Sequence, residues 1–226
     1  MTWIDLGDPN PKLYHDKYIP IQWDVGKVAY LPSPNNSITR SFIDVIDSRE
    51  SQRYFSVITE IQLGEFLWHS CRTRGIGVSN LGFDLEHRAS PSAGAIHPIH
   101  VVIKRPNDVF WWLYQPQTHS IAELRQESVK LIGLEKHAED VLKGDQAVKI
   151  LFLAEPRKTS AKYQNSNSLV WRDAGAIIGV MALIATAMDL SFCPLGITGE
   201  PWASELAQKG ELAGVGLAFL GSAKSF

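Results

Sequence analysis

The stretch HRASPSAGAIHPIHVVIKR, residues 87–105, sets a rigid turn of small residues directly in front of a β-branched run. Pro91 fixes its own φ and biases Ser90 toward an extended backbone. Gly94, with the small Ala93 and Ala95 on either side, lets main-chain amides approach a flat ligand closely. The run IHVVIK that follows has the composition of a buried strand. Two readings of the turn are open: a shelf for a ring system, or an ordinary tight turn that starts a strand.

Working outward, RPND separates IHVVIK from VFWWLY, which predicts a hairpin or meander. LEKHAEDVL suits a short helix, and AVKILFLAE reads as a strand buried on both faces. From about Val170 to Leu190 the chain is apolar nearly all round, which predicts a helix buried on most sides. AGVGLAFLGSAKSF closes the chain as a further core strand. Upstream, a short helix is expected from Ser37 in ITRSFIDVIDSR. A longer one starts with Thr59 and Gln62 in capping-box spacing, with Ile61, Leu63, Phe66, Leu67 and Ser70 toward one face and Gly75 at its end. Residues 1–36 have no clear period but carry Trp and Tyr, so they are expected to drape as an irregular arm over a domain spanning 37–226. The element order implies an α+β fold around a central sheet with antiparallel pairing.

Composition bounds the function. With 22 Lys and Arg against 24 Asp and Glu, the net charge of −2 gives no general grip on nucleic acid. Cys71 and Cys193 show neither zinc nor disulfide spacing, so a reducing, cytoplasmic location and no metal are expected. No apolar segment is read as a membrane span, and MTWIDLGDPN is acidic where a signal peptide would be basic.

Arg49, Ser51 and Arg53 alternate in DSRESQRYF, so an extended backbone would aim two guanidiniums and a hydroxyl the same way, enough to hold one phosphate. A solvated charged loop would look the same. SFCPLGITGEP places Pro194, Gly196 and Gly199 after the long helix, where backbone N–H groups could face a ring; a plain linker is the alternative, and no GxGxxG fingerprint is present. Lys162 and Tyr163 form a pair whose protonation burial could tune for proton transfer. His97 could serve as acid or base, or simply be packed. His69 and Cys71, two apart on a helix, face different ways.

Taken in order, RESQR, PSAGAIHP leading into a strand, WRDAGAIIGVMALIATAMDLSFCPLG and a terminal strand resemble the nitroreductase superfamily of flavin enzymes. PSAGAIHP is similar to the PSAGALYP-type turn of SagB-type dehydrogenases, the subgroup that includes azoline oxidases of thiazole- and oxazole-forming peptide synthetases. The resemblance covers about residues 40–221. It implies an α+β sandwich with a mostly antiparallel central sheet, and an FMN-dependent oxidoreductase moving hydride through flavin N5 to or from a small molecule or modified peptide. NAD(P)H is an implied hydride donor. A homodimer with FMN between subunits is also implied. Arg49, Ser51 and Arg53 match the element that contacts the ribityl phosphate and pyrimidine edge. Pro91, Ser92, Ala93 and Gly94 match the turn lining the isoalloxazine, often that of the other subunit. Leu195 and Gly196 match the loop near N5, and Lys224 a basic residue for the phosphate. Lys162 and Tyr163 match the Lys-Tyr pair that azoline oxidases place near the substrate carbon. His97 stands where an aromatic residue is more usual. The reading from a different class is a flavin-free protein of the same fold, serving as a binding or scaffold subunit.

Overall fold

A computed structural model describes residues 3–34, 38–207 and 210–223. In chain order its elements are β1 (Asn10–Pro11), β2 (Val28–Tyr30), α1 (Phe42–Ser48), α2 (Glu60–Cys71), β3 (Gly75–Gly77) and β4 (Leu85–His87). A single 3₁₀ turn, Ala93–Ala95, precedes β5 (Ile99–Lys104), β6 (Trp111–Gln115), β7 (Ser120–Leu124), α3 (Arg125–Lys130) and α4 (Ile132–Val141). The chain continues through β8 (Val148–Ala154), α5 (Pro156–Ser160), β9 (Tyr163–Gln164), α6 (Asn167–Ala187), β10 (Leu190–Leu195) and β11 (Ala213–Ser222).

Seven strands form one sheet in the order β10-β11-β8-β5-β6-β7-β2, and every pairing is antiparallel. The fold is therefore α+β with an antiparallel centre, as expected. Strand periodicity divides the core. On β8, Val148, Ile150, Phe152 and Ala154 face one side, packed with Phe66 and Leu67 of α2 and Ile177 and Met181 of α6. Leu151 and Leu153 face the other, with Leu131 and Leu134 beside α3 and α4, and with Ala203 and Leu206. The result is a helix–sheet–helix sandwich. Full burial of Phe152 alone is worth about 2–3 kcal/mol of transfer free energy.

The capping box forms as predicted. Gln62 N donates to Thr59 Oγ1 at 3.1 Å, and Thr59 N to Gln62 Oε1 at 2.9 Å. Two details of α2 differ. The helix stops at Cys71, with Arg72 extended as its C-cap and Gly75 already in β3. Ile61 is exposed, because the buried face of the helix is made by Leu63, Gly64, Phe66, Leu67, Ser70 and Cys71. The hairpin of IHVVIK and VFWWLY is the β5–β6 pair. The expected helix start at Ser37 lies outside the described residues; α1 is capped by Ser41, whose hydroxyl accepts from Asp44 N.

The long helix is also less enclosed than its composition suggested. On α6, Val170, Asp173, Ala174, Ile177, Met181 and Ala185 are buried, whereas Trp171, Gly175 and Gly179 are exposed. By length and composition α6 could cross a membrane, contrary to the reading that no segment could, but one of its faces is built into the sheet core. The N-terminal arm is irregular yet stitched down: β2 extends the sheet edge by pairing with β7, and β1 pairs with β9.

Candidate functional site

The Pro91–Gly94 turn is shaped by its own residues. Gly94 sits at φ +64°, a conformation that glycine adopts readily, and Ala95 and His97 follow at +58° and +48°. Three backbone bends into the left-handed region hold only because the turn is pinned. Asp173 of α6, 7% exposed, pins it: its carboxylate accepts Ser92 Oγ–H at 2.6 Å and Ala93 N–H at 3.1 Å. Ser92 Oγ in turn accepts His97 N–H at 2.9 Å. Burial raises the Asp173 pKa above the ordinary carboxylate value, and the two hydrogen bonds pull against it.

Lys162 and Tyr163 come to this same turn. A Cβ added to Gly94 would stand 2.9 Å from Lys162 Nζ and 2.9 Å from Tyr163 OH, so both polar tips converge on the one residue that has none. The ammonium also lies 5.6 Å from the Tyr163 ring centroid. Their place is set locally. Pro156 opens α5 at a position that needs no N–H, the helix lasts five residues, and Lys162 N–H returns to Thr159 C=O at 3.2 Å. The arm then clamps the pair: Lys12 N–H donates to Lys162 C=O at 2.8 Å, Asp16 N–H to Ala161 C=O at 2.9 Å, and Pro11 lies opposite Tyr163 in the β1–β9 register.

Arg49, Ser51 and Arg53 lie in a segment tied to β10, the edge strand that ends at Leu195 just before Gly196. Arg49 is extended where α1 ends, and Gln52 N–H donates to Phe192 C=O at 3.2 Å, which ties the segment to β10. Ser48, Glu50, Gln52 and Tyr54 line one open cleft of about 550 Å³, and Arg49, Ser51 and Arg53, which alternate with them, are exposed and do not line it. Arg53 is close enough to Cys193 that its charge lowers the thiol pKa, although burial, the larger effect, leaves it raised. Leu195 ends β10, and a Cβ on Gly196 would meet nothing within 4 Å. No hydrogen bond among the described residues joins this group to the turn. Lys224 lies outside the described residues.

Beneath the turn the structure assembles residues that sequence reading left apart. Glu155, fully buried, accepts Tyr18 OH at 2.7 Å, Ile21 N–H at 2.7 Å and His100 Nε2 at 2.8 Å. Burial pushes the Glu155 pKa up, but His100, Tyr18 and Ile21 outweigh it and hold the carboxyl below its ordinary range. Arg88 pairs with Glu86 through Nη2 at 2.7 Å. His97 is buried, and burial, with Arg88 next in weight, depresses its pKa to about 4. It is a neutral packed ring at pH 7. Asp173 had a visible signal, a lone acid inside an apolar helix, which demands partners when buried. Glu155 and Lys158 had none beyond ending a strand or following it.

The Nitroreductase family matches residues 46–209 of the chain. A protein named as a nitroreductase from Ralstonia eutropha JMP134 superposes with TM-score 0.64 at 17% identity, over 97% of this chain and all of that one. A chain of the E. coli microcin synthetase McbBCD complex, solved with truncated pro-MccB17 bound, superposes with TM-score 0.54 at 13% identity, over 89% of this chain and 80% of that one. One from Desulfovibrio desulfuricans named as a nitroreductase, in complex with FMN, gives TM-score 0.51 at 17% identity, over 83% and 91%. No curated protein sequence matches the chain. At these identities the structures speak to fold, and the family match, which spans most of the chain, speaks to kinship: the chain belongs to the nitroreductase family.

Proposed function

We propose that the protein is an FMN-dependent oxidoreductase of SagB-type dehydrogenase character, acting on a small molecule or a heterocycle in a modified peptide. The observation that carries this reading is the convergence of Lys162 Nζ and Tyr163 OH on Gly94. The residues fit the cofactor. The turn offers a side-chain-free shelf at Gly94, and the exposed row of Arg49, Ser51 and Arg53 offers charge-assisted donors to a phosphate. When bound, FMN would supply the two-electron carrier that exchanges hydride at N5, with substrate or NAD(P)H on the other side.

The chain's own residues bind, orient and move protons. Arg49 and Ser51 would hold the phosphate, and Arg53 would supply positive charge to stabilise the negative charge that reduction leaves on the flavin. Pro91, Ser92, Ala93 and Gly94 would line the flavin ring, and Leu195 and Gly196 would lie near its N5. Lys162 or Tyr163 would act as the base that takes up the proton when the C–H bond next to the substrate's ring nitrogen breaks. The turn and the arginine row are separate within one chain, and α6 exposes Trp171, Gly175 and Gly179. Both features favour a homodimer in which each copy completes the other's site.

FMN titration followed by absorbance tests the reading. Saturable binding at one FMN per chain is expected, weakened at least tenfold by Arg53→Ala. A wild-type protein that stays colourless and binds no FMN would replace this reading with a flavin-free scaffold.

A further inference from the structure

A third, smaller apolar cluster joins the arm, the turn and the Lys162–Tyr163 segment. Tyr18 of the arm, Leu81, Ile96 at the end of the 3₁₀ turn and Ala161 at the end of α5 are buried in it. Phe83, Leu85 and the Tyr163 ring pack on its flank. The ring that brings the Tyr163 hydroxyl to Gly94 therefore rests on a cluster whose arm-side member is Tyr18.

Glu155 fastens that member. One carboxylate oxygen takes both the Tyr18 hydroxyl and the Ile21 N–H, the other meets His100 of β5, and the Glu155 N–H donates to Pro98 C=O at 2.8 Å. A single fully buried residue is thus bonded to the arm and to the segment that leaves the turn, and it stands directly before Pro156, the first residue of α5. A carboxylate is a costly way to fill space, because its desolvation opposes folding and an apolar side chain of similar volume packs as well. What the carboxylate adds is direction: hydrogen bonds weaken steeply when misaligned, whereas apolar side chains slide.

We propose that Glu155 is a positioning residue for the Lys162–Tyr163 pair. By holding Tyr18 and Ile21 in one place it fixes the cluster on which the Tyr163 ring rests. It also fixes the arm, whose Lys12 and Asp16 N–H groups clamp Lys162 and Ala161. Being fully buried, it acts through these contacts. The inference rests on the flavin reading above, since a reaction at the pair is what gives its position a consequence. A misplacement of about 1 Å in a group that takes up a proton costs on the order of a hundredfold in rate.

Two variants and two readouts test it. Glu155→Met fills the space without an acceptor, and Glu155→Gln keeps an amide oxygen for Tyr18 and Ile21. In single-turnover bleaching of bound FMN by an azoline-bearing peptide, at equal FMN occupancy, Glu155→Met should be slower by about thirtyfold or more and Glu155→Gln by less than about fivefold. With fluorotyrosine placed at position 163, wild type and Glu155→Gln should each give one sharp fluorine resonance, and Glu155→Met a shifted or broadened one. Where Glu155→Met does not fold, Tyr18→Phe, which loses one hydroxyl and keeps the ring, should show both effects, with a rate loss of about fivefold. If wild type bleaches and the Met variant, or Tyr18→Phe in its place, bleaches as fast or keeps the wild-type fluorine line, the inference is overturned. A loss in Glu155→Gln as deep as in Glu155→Met would also overturn it. A wild type that never bleaches is a different failure, that of the flavin reading, and takes the inference down with it.

Discussion

Replacing Asp173 with alanine removes the pin of the turn and nothing else of similar reach. Two donors lose their acceptor, Ser92 Oγ at 2.6 Å and Ala93 N at 3.1 Å. A hydrogen bond to a charged group is worth about 1.5–3 kcal/mol net, and a buried N–H left unpaired costs about 1–3 kcal/mol. Two effects reduce the sum. The Ser92 hydroxyl can rotate to another partner, and loss of a buried carboxylate, whose raised pKa records its poor solvation, returns part of the desolvation cost. The expected loss is about 2 kcal/mol in urea unfolding, or roughly 4–8 °C in melting temperature for a chain of this size. Asp173→Asn keeps one carbonyl acceptor and should lose about half as much. If Asp173→Ala unfolds within about 0.5 kcal/mol of wild type, the range of an unremarkable surface change, the turn is held by something else.

Gly94→Ala must move both tips from 2.9 Å to at least 3.4 Å and strain a φ of +64°, so turnover should fall by about tenfold or more for about 1 kcal/mol of stability. Gly196→Ala, with open space around it, is the matched control and should change stability by less than about 0.5 kcal/mol in the same unfolding assay. Deleting residues 3–17 removes the clamp on Ala161–Gln164 and should depress turnover while FMN occupancy, read by absorbance, is retained. Stability should rise with pH between about 4 and 6.5: His97 is held neutral down to about 4 when folded, so the unfolded chain binds more protons in that window. His97→Asn, compatible with the positive φ, should flatten that slope in melting curves across the window.

The parts of this molecule that could be read in the sequence are those specified over a few residues. The capping box at Thr59 and Gln62, the strand β8 buried on both faces and the small-residue turn at Gly94 each follow from local chemistry. Helix ends were less legible. Gly75 looked like a stop signal, but the extended Arg72 had already ended α2. The exposure of Ile61 and of one face of α6 depends on which way the sheet lies, which no local pattern states. The same holds for the site. RESQR and PSAG were visible as elements, but Asp173 reaches Ala93 across 80 residues and Glu155 reaches Tyr18 across 137, and those contacts exist only once the sandwich closes.

The central claim is that Lys162 and Tyr163, above the Gly94 shelf, handle the substrate proton in a flavin reaction. Anaerobic single-turnover bleaching of enzyme-bound FMN by an azoline-bearing peptide tests it most directly, comparing wild type with the Lys162→Ala, Tyr163→Phe double variant at equal FMN occupancy. The account predicts bleaching in wild type and a loss of about a hundredfold or more in the variant, as expected when general acid–base groups are removed. Equal bleaching rates in the two proteins would contradict it.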